Sequence, residues 1–435
     1  MERKKEYYKI LLILVLFITT VSVSYSQNQI SSPYTRYGIG DIATKSFGQN
    51  SAMGGLAYGL RQSGHINFAN PASYSSFDTL SFVFESGIFN RTTYSETTNS
   101  TQINNDMNYN YLAIGFPVTN WWYSSFGLLP FSDVGYNIRN TDSSNTLGLG
   151  TIDNFFKGSG GIKQFYFGNS FAINKNISIG FNMAYLFGYL EQQNIVDFED
   201  IQAWDIEDTK KIDISDFNFD FGLQYTNNFR KKFDYTFGLV FNNKTNISAT
   251  KSILVKKYNP YQSYGDTLTN TIAEKDDIVL PTNLGIGFSI KSNKILFGAD
   301  YCTQNWSQST FLGENDNLAN SNNLALGFQY VPNKRSITNY FKRINYRIGA
   351  HMSNTYLNIP TLNTNGEING YEQLKDLGIS FGFGFPVGFS RSTINLAVEL
   401  GQRGTTDYNL IKENYAIISL NLSLHDIWFV KRKFD

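Results

Sequence analysis

The sequence predicts an all-β protein, a transmembrane antiparallel barrel of about 14 strands with an N-terminal plug in its lumen. Three observations carry that prediction. Segments of about ten residues alternate apolar and polar with period two, the length a tilted strand needs to cross a bilayer. No apolar run after the first 26 residues approaches the roughly 18 needed for a membrane helix. Long and short connections alternate along the chain, as they do where barrel hairpins face outside and periplasm in turn.

The elements follow in order. Residues 1–26 read as a signal peptide: Arg3, Lys4 and Lys5 precede an apolar run from Ile10 to Val23, and Ser24-Tyr25-Ser26 offers small residues for cleavage. No Cys stands at the end of that run, so a lipid anchor is not indicated. Residues 27–80 lack clean periodicity and are rich in small residues, as in "AMGGLAYGLRQSG". With an even strand number both chain ends lie in the periplasm, and a lumen of this width exceeds what its own side chains fill. The segment is therefore expected inside the barrel, with Asn70-Pro71-Ala72 as a rigid bend that hands it over to the wall. Residues 81–435 form the barrel.

Strands are expected near 81–91, 106–118, 121–132, 160–172, 177–190, 215–227, 233–243, 282–291, 295–305, 322–331, 344–356, 375–387, 392–402 and 414–428. In "DFNFDFGLQYTNN", Phe217, Phe219, Phe221, Leu223 and Tyr225 share one face, and Asn218, Asp220, Gln224 and Thr226 the other. A soluble sandwich also alternates, but its strands are nearer five or six residues. In the third strand, "WWYSSFGLLPFSD", Pro130 lacks the N–H that a ladder requires and Gly127 is close by, which predicts a local bulge or gap. The last strand ends at Trp428-Phe429, fit for an aromatic girdle, with Phe434 penultimate instead of final. That leaves open which aromatic the barrel-assembly machinery reads for insertion.

Composition excludes several classes. The formal net charge is zero and nothing suggests nucleic acid. The single Cys302 makes no intramolecular bridge. There are three histidines, His65, His351 and His425, and no metal spacing or phosphate-binding glycine loop. His351 and Ser353 share a strand face, but the lumen face, so no lipid-facing hydrolase site forms. No catalytic residue, metal or organic cofactor is expected. Lumen-facing Arg347, Asp300 and Glu399 are expected to pair with plug charges such as Arg61 or Asp78.

The block "SSPYTRYGIGD", then "AMGGLAYGL", then Asn70-Pro71-Ala72 just before the first strand resembles the FadL/TodX family of outer-membrane transporters for hydrophobic compounds, most like its Bacteroidetes members. The resemblance implies passage of a long-chain fatty acid or similar apolar molecule, with Asn70, Pro71 and Ala72 on a hatch. It also implies sideways exit at a kink in the third strand, which maps to Gly127 and Pro130. Ile201, Trp204 and Ile206 in one long connection, and Ile253, Leu254 and Tyr258 in another, are candidates for an apolar capture groove; the alternative for them is packing between loops or a short external hairpin. Expected partners are the hydrophobic ligand and outer-membrane lipids. Two other classes stay open: a general diffusion channel, and a barrel recruited as a subunit by a larger outer-membrane export or assembly complex.

Overall fold

The structure is a computed structural model that describes residues 32–143, 150–200, 202–230, 232–259, 264–312, 317–363, 367–388 and 391–427. The expected signal peptide, Ile201 and Trp428-Phe429 lie outside these residues.

Eighteen strands make one antiparallel sheet: β1 Asp41–Ile42, β2 Ser81–Glu96, β3 Thr101–Pro117, β4 Trp122–Asp133, β5 Tyr136–Asp142, β6 Ile152–Ala172, β7 Ile177–Phe198, β8 Asp205–Phe229, β9 Phe233–Asn242, β10 Thr245–Asn259, β11 Tyr264–Leu280, β12 Asn283–Lys291, β13 Ile295–Gln304, β14 Ser321–Tyr330, β15 Asn345–Leu362, β16 Ile368–Pro386, β17 Thr393–Arg403 and β18 Lys412–Ile427. β18 pairs with β2 along its full length, from Lys412 opposite Glu96 to Ile427 opposite Ser81, and so closes the barrel. The wall has 14 staves, because β4 continues into β5, β9 into β10 and β11 into β12 after short breaks. β8 pairs with β9 over Asp220–Phe229 and with β10 over Asp205–Ile214, which shows one stave bent at Asn243-Lys244.

The side chains are inverted relative to a soluble protein. Phe217, Phe219, Phe221 and Leu223 on β8 are more than two-fifths exposed on the outer face, as are Ile348 on β15 and Ile379 on β16. Their alternates Asn218, Asp220, Gln224, Arg347 and Ser380 are buried within. Such a wall is stable where hydrocarbon bathes its outside, since closure leaves no unpaired edge in the lipid. The strands overrun the expected boundaries on one rim. The connections 191–214 and 244–281 are ladders: β7, β8, β10 and β11 continue past the barrel as a ribbon. Hydrogen bonding to a neighbour carries those strands onward after the apolar alternation has ended, so periodicity alone did not mark them.

Residues 32–80 pack against inward-facing residues of the wall. Short 3₁₀ turns at Pro33–Arg36, Gly48–Met53 and Pro71–Ser76 shape them. Asn70 caps the last turn, its side chain accepting from the Ala72 N–H, and Pro71 occupies the first position, where a missing N–H costs nothing. At the rim where β2 begins and β18 ends, the terminal rim, the segment packs Phe47, Phe68 and Tyr74 against Tyr111 of β3 and Tyr166 of β6. Phe47 stacks on Tyr111 with centroids 3.8 Å apart. Toward the other rim, Tyr34 and Ile39 join an apolar core with Val134, Ile162, Ile212, Trp306 and Tyr356.

Candidate functional site: a filled lumen beside a split wall

Room for the segment comes from glycine on the wall. Gly180, Gly222, Gly238, Gly298, Gly327 and Gly349 face inward on β7, β8, β9, β13, β14 and β15. A Cβ at Gly180 would lie 2.6 Å from the Pro71 carbonyl carbon, one at Gly327 2.7 Å from Met53 Cβ, and one at Gly349 2.5 Å from Met53 Cα. The register puts Gly180 opposite Gly222, Gly298 opposite Gly327, and Gly327 opposite Gly349. Backbone thus meets backbone where side chains would collide. The sequence reading missed this lane. Its signal was the recurrence of glycine at one height in successive strands, as in "ISIGF", "FDFGL", "YTFGL", "ILFGA", "LALGF" and "YRIGA".

Polar contacts fix the segment in place. The Asp300 carboxylate accepts the backbone N–H groups of Ala57 at 2.5 Å and Tyr58 at 2.6 Å. The Ser380 hydroxyl accepts the Gly54 N–H at 2.7 Å. Asn70 Nδ2 donates to the Tyr58 carbonyl at 2.8 Å, so the Asn-Pro-Ala motif ties two parts of the segment together while it rests on Gly180 and Gly222 of the wall. Arg347 does not meet an acid of the segment; it donates to Gln329, Asn395 and Gln49. Arg61 likewise bonds neutral oxygens of Ser75, Ser178 and Gln224. Burial pushes the Arg61 guanidinium down to about 10, still charged at neutral pH. Asp78 pairs with Arg391 and His425 at the terminal rim, and Glu399 lies near Tyr415. The expected pairing of Arg347, Asp300 and Glu399 with Arg61 or Asp78 is therefore replaced by hydrogen bonds, because small polar side chains and main chain reach those groups first.

A buried ionic cluster holds the segment's start. Arg403 on β17 contacts Asp41 at 2.9 Å and Glu413 on β18 at 2.7 Å, and Arg91 on β2 reaches Asp41 at 3.1 Å. Ser32 Oγ donates to Glu413 at 2.6 Å.

The wall is split beside this cluster. β3 and β4 pair only over Leu112–Pro117 and Tyr123–Leu128. Gly127 lies within that ladder, opposite Ala113, and Pro130 lies just beyond its end. On the other side of β4 the register with β6 shifts between Pro130 and Ser132, which makes Phe131 a bulge. Above Leu128 the edge that β3 leaves is taken by β1: Asp41 pairs with Asp133 and Ile42 with Ser132, and the Ala43 N–H donates to the Phe131 carbonyl at 3.0 Å.

The groove candidates sit elsewhere. Trp204 is half-exposed just before β8 and lies 5.4 Å from Lys257. Ile206 is on β8; Ile253, Leu254 and Tyr258 are on β10. By ladder parity Ile206 and Ile253 share one face of the ribbon, Leu254 and Tyr258 the other. Ile206, Ile253, Leu254 and Tyr258 thus stand on a hairpin ribbon, the alternative the sequence offered for them.

This architecture is the fold of the FadL-type barrels. It superposes on the toluene transporter TodX of Pseudomonas putida with a TM-score of 0.58 at 14% identity, covering 90% of this chain and 100% of that one. A Pseudomonas aeruginosa FadL homologue gives 0.57 at 10%, covering 89% and 100%. The toluene transporter TbuX of Ralstonia pickettii gives 0.53 at 13%, covering 87% and 98%. Within that class, the chain belongs to the BamG family, whose profile matches residues 7–435. No curated protein matches it.

Proposed function

We propose that the protein is a non-enzymatic barrel of the Gram-negative outer membrane that admits hydrophobic small molecules, with long-chain fatty acids as the reference ligand. Residues 27–80 act as its hatch and the terminal rim faces the periplasm. The observation that carries this reading is the split between β3 and β4, closed from inside by β1 of the segment itself. A ligand leaving there meets hydrocarbon, not water, and the port opens only when Asp41-Ile42 lets go of β4. The likeness to TodX and TbuX supports the class of cargo. Gly127 and Pro130 border the port, and Asn70-Pro71-Ala72 is the hinge of the hatch. Pro130→Val with Phe131 deleted restores an unbulged β4. Ligand uptake into proteoliposomes should fall several-fold while the barrel still folds; undiminished uptake would remove the port from the mechanism.

A second reading has its own support: a barrel subunit of a larger outer-membrane export or assembly complex. The apolar core around Tyr34, Ile162, Ile212 and Tyr356 joins the segment to the wall as one packed body, which suits a scaffold. Under it, large membrane partners co-purify at fixed stoichiometry and ligand uptake equals that of an unrelated barrel.

A further inference from the structure

The turns on the terminal rim are short except one. Residues 331–344, "VPNKRSITNYFKRI", form a built loop between β14 and β15. Its neck is closed where the Asn333 N–H donates to the Lys342 carbonyl at 2.7 Å, and Ser336 Oγ accepts the Asn339 N–H at 3.2 Å. A 3₁₀ turn follows at Tyr340–Arg343. This ordered loop nevertheless presents Ile337 at 85% and Phe341 at 70% exposure. Single exposed apolar residues are common, but two held out on one hydrogen-bonded loop call for a covering surface.

The end of the loop lies against the outer side of the rim. Tyr346 is on the outer face of β15, where its ring meets Phe383 edge to face with centroids 5.8 Å apart. Its hydroxyl donates to the Phe341 carbonyl at 3.0 Å. Tyr340 donates to the Pro386 carbonyl at 3.1 Å and Arg343 to the Gly388 carbonyl at 2.8 Å. Phe341 is therefore held at the level where the apolar band of Tyr330 and Phe383 ends. The loop carries Lys334, Arg335, Lys342 and Arg343 and no acid, and the neighbouring turn adds Lys294; Lys334 lies beside Lys291 and the lumenal Arg347, at the mouth of the lumen. The protein as a whole is neutral, so positive charge is concentrated at this part of the rim.

We propose that residues 331–344 are an interfacial anchor that binds anionic phospholipid of the periplasmic leaflet. Ile337 and Phe341 insert below the headgroups, and Arg335 and Lys342 contact the phosphates. Apolar tips rimmed by cations at the hydrocarbon boundary match an anionic bilayer surface in both layers, acyl chain and headgroup. The inference rests on the orientation of the barrel, not on what it carries.

The test uses the full chain in nanodiscs of phosphatidylcholine with or without 30% phosphatidylglycerol. A spin label at Phe341→Cys should be accessible to oxygen and shielded from a water-soluble nickel relaxer. A label at Thr98→Cys, between β2 and β3 on the opposite rim, should show the reverse. Native mass spectrometry should find phosphatidylglycerol retained at least tenfold over phosphatidylcholine, and that preference lost in Arg335→Gln/Lys342→Gln, which leaves the apolar tips intact. A water-exposed label at position 341 in both discs, or equal retention of the two lipids, overturns the proposal and assigns the loop to a protein partner. Because ligand uptake is not read, failure of transport leaves this test unaffected.

Discussion

Arg403 shows how much one side chain fixes. It meets Asp41 and Glu413 in a nearly dry site, and removing one partner of a buried pair leaves the other charge uncompensated. Arg403→Met should cost about 3–5 kcal/mol, read as a lower temperature at which the barrel loses its folded mobility on a gel. Glu413→Gln, which keeps a hydrogen-bond acceptor, should cost less. Asn70→Ala removes the cap of Pro71–Ser76 and the bond to the Tyr58 carbonyl, and should cost about 1–2 kcal/mol in the same assay. The motif was legible in the sequence because Asn-Pro at the start of a turn is a local signal. The Asp41–Arg403–Glu413 cluster was not, since Asp41 lies hundreds of positions from the other two and no spacing rule links them. The same holds for Asp300, whose partners are backbone N–H groups that nearly every residue type carries.

Among the elements, β4 and β1 meet at the proposed port, where β1 pairs with the edge of β4 that β3 leaves. Ala43→Pro removes the N–H that bonds the Phe131 carbonyl. Deuterium uptake across Phe131–Gly135 should rise several-fold while β7 and β8 keep their protection; unchanged uptake would mean that β1 does not guard the gap. The glycine lane is tested by Gly349→Val, whose side chain has no space beside Met53. The barrel should still close, because β15 keeps both ladders, but the inner segment should become open to protease between residues 44 and 60. Strand order and number were readable from the alternation of outer Phe and Leu with inner Asn and Asp. The split was half readable: Pro130 marks the break in the chain, but only the fold shows that the inner β1 fills the edge beside it.

For the molecule as a whole, two opposed demands meet. The outer face must be apolar to sit in lipid, and the lumen, lined by polar side chains, must be filled with something that satisfies them. Residues 32–80 do so with backbone groups and small side chains, and the same segment holds its β1 against the edge of β4. The ribbon of β7, β8, β10 and β11 was legible only as the alternative of a short external hairpin, because outside the membrane neither face must be apolar and the period-two signal fades. Mass spectrometry of lipids extracted from gently purified protein, beside the unbulged Pro130 variant and an unrelated barrel, tests the central claim most directly. A free fatty acid or related amphiphile should be enriched several-fold over both controls. Background lipid alone in all three preparations, with large protein partners at fixed stoichiometry, would contradict it.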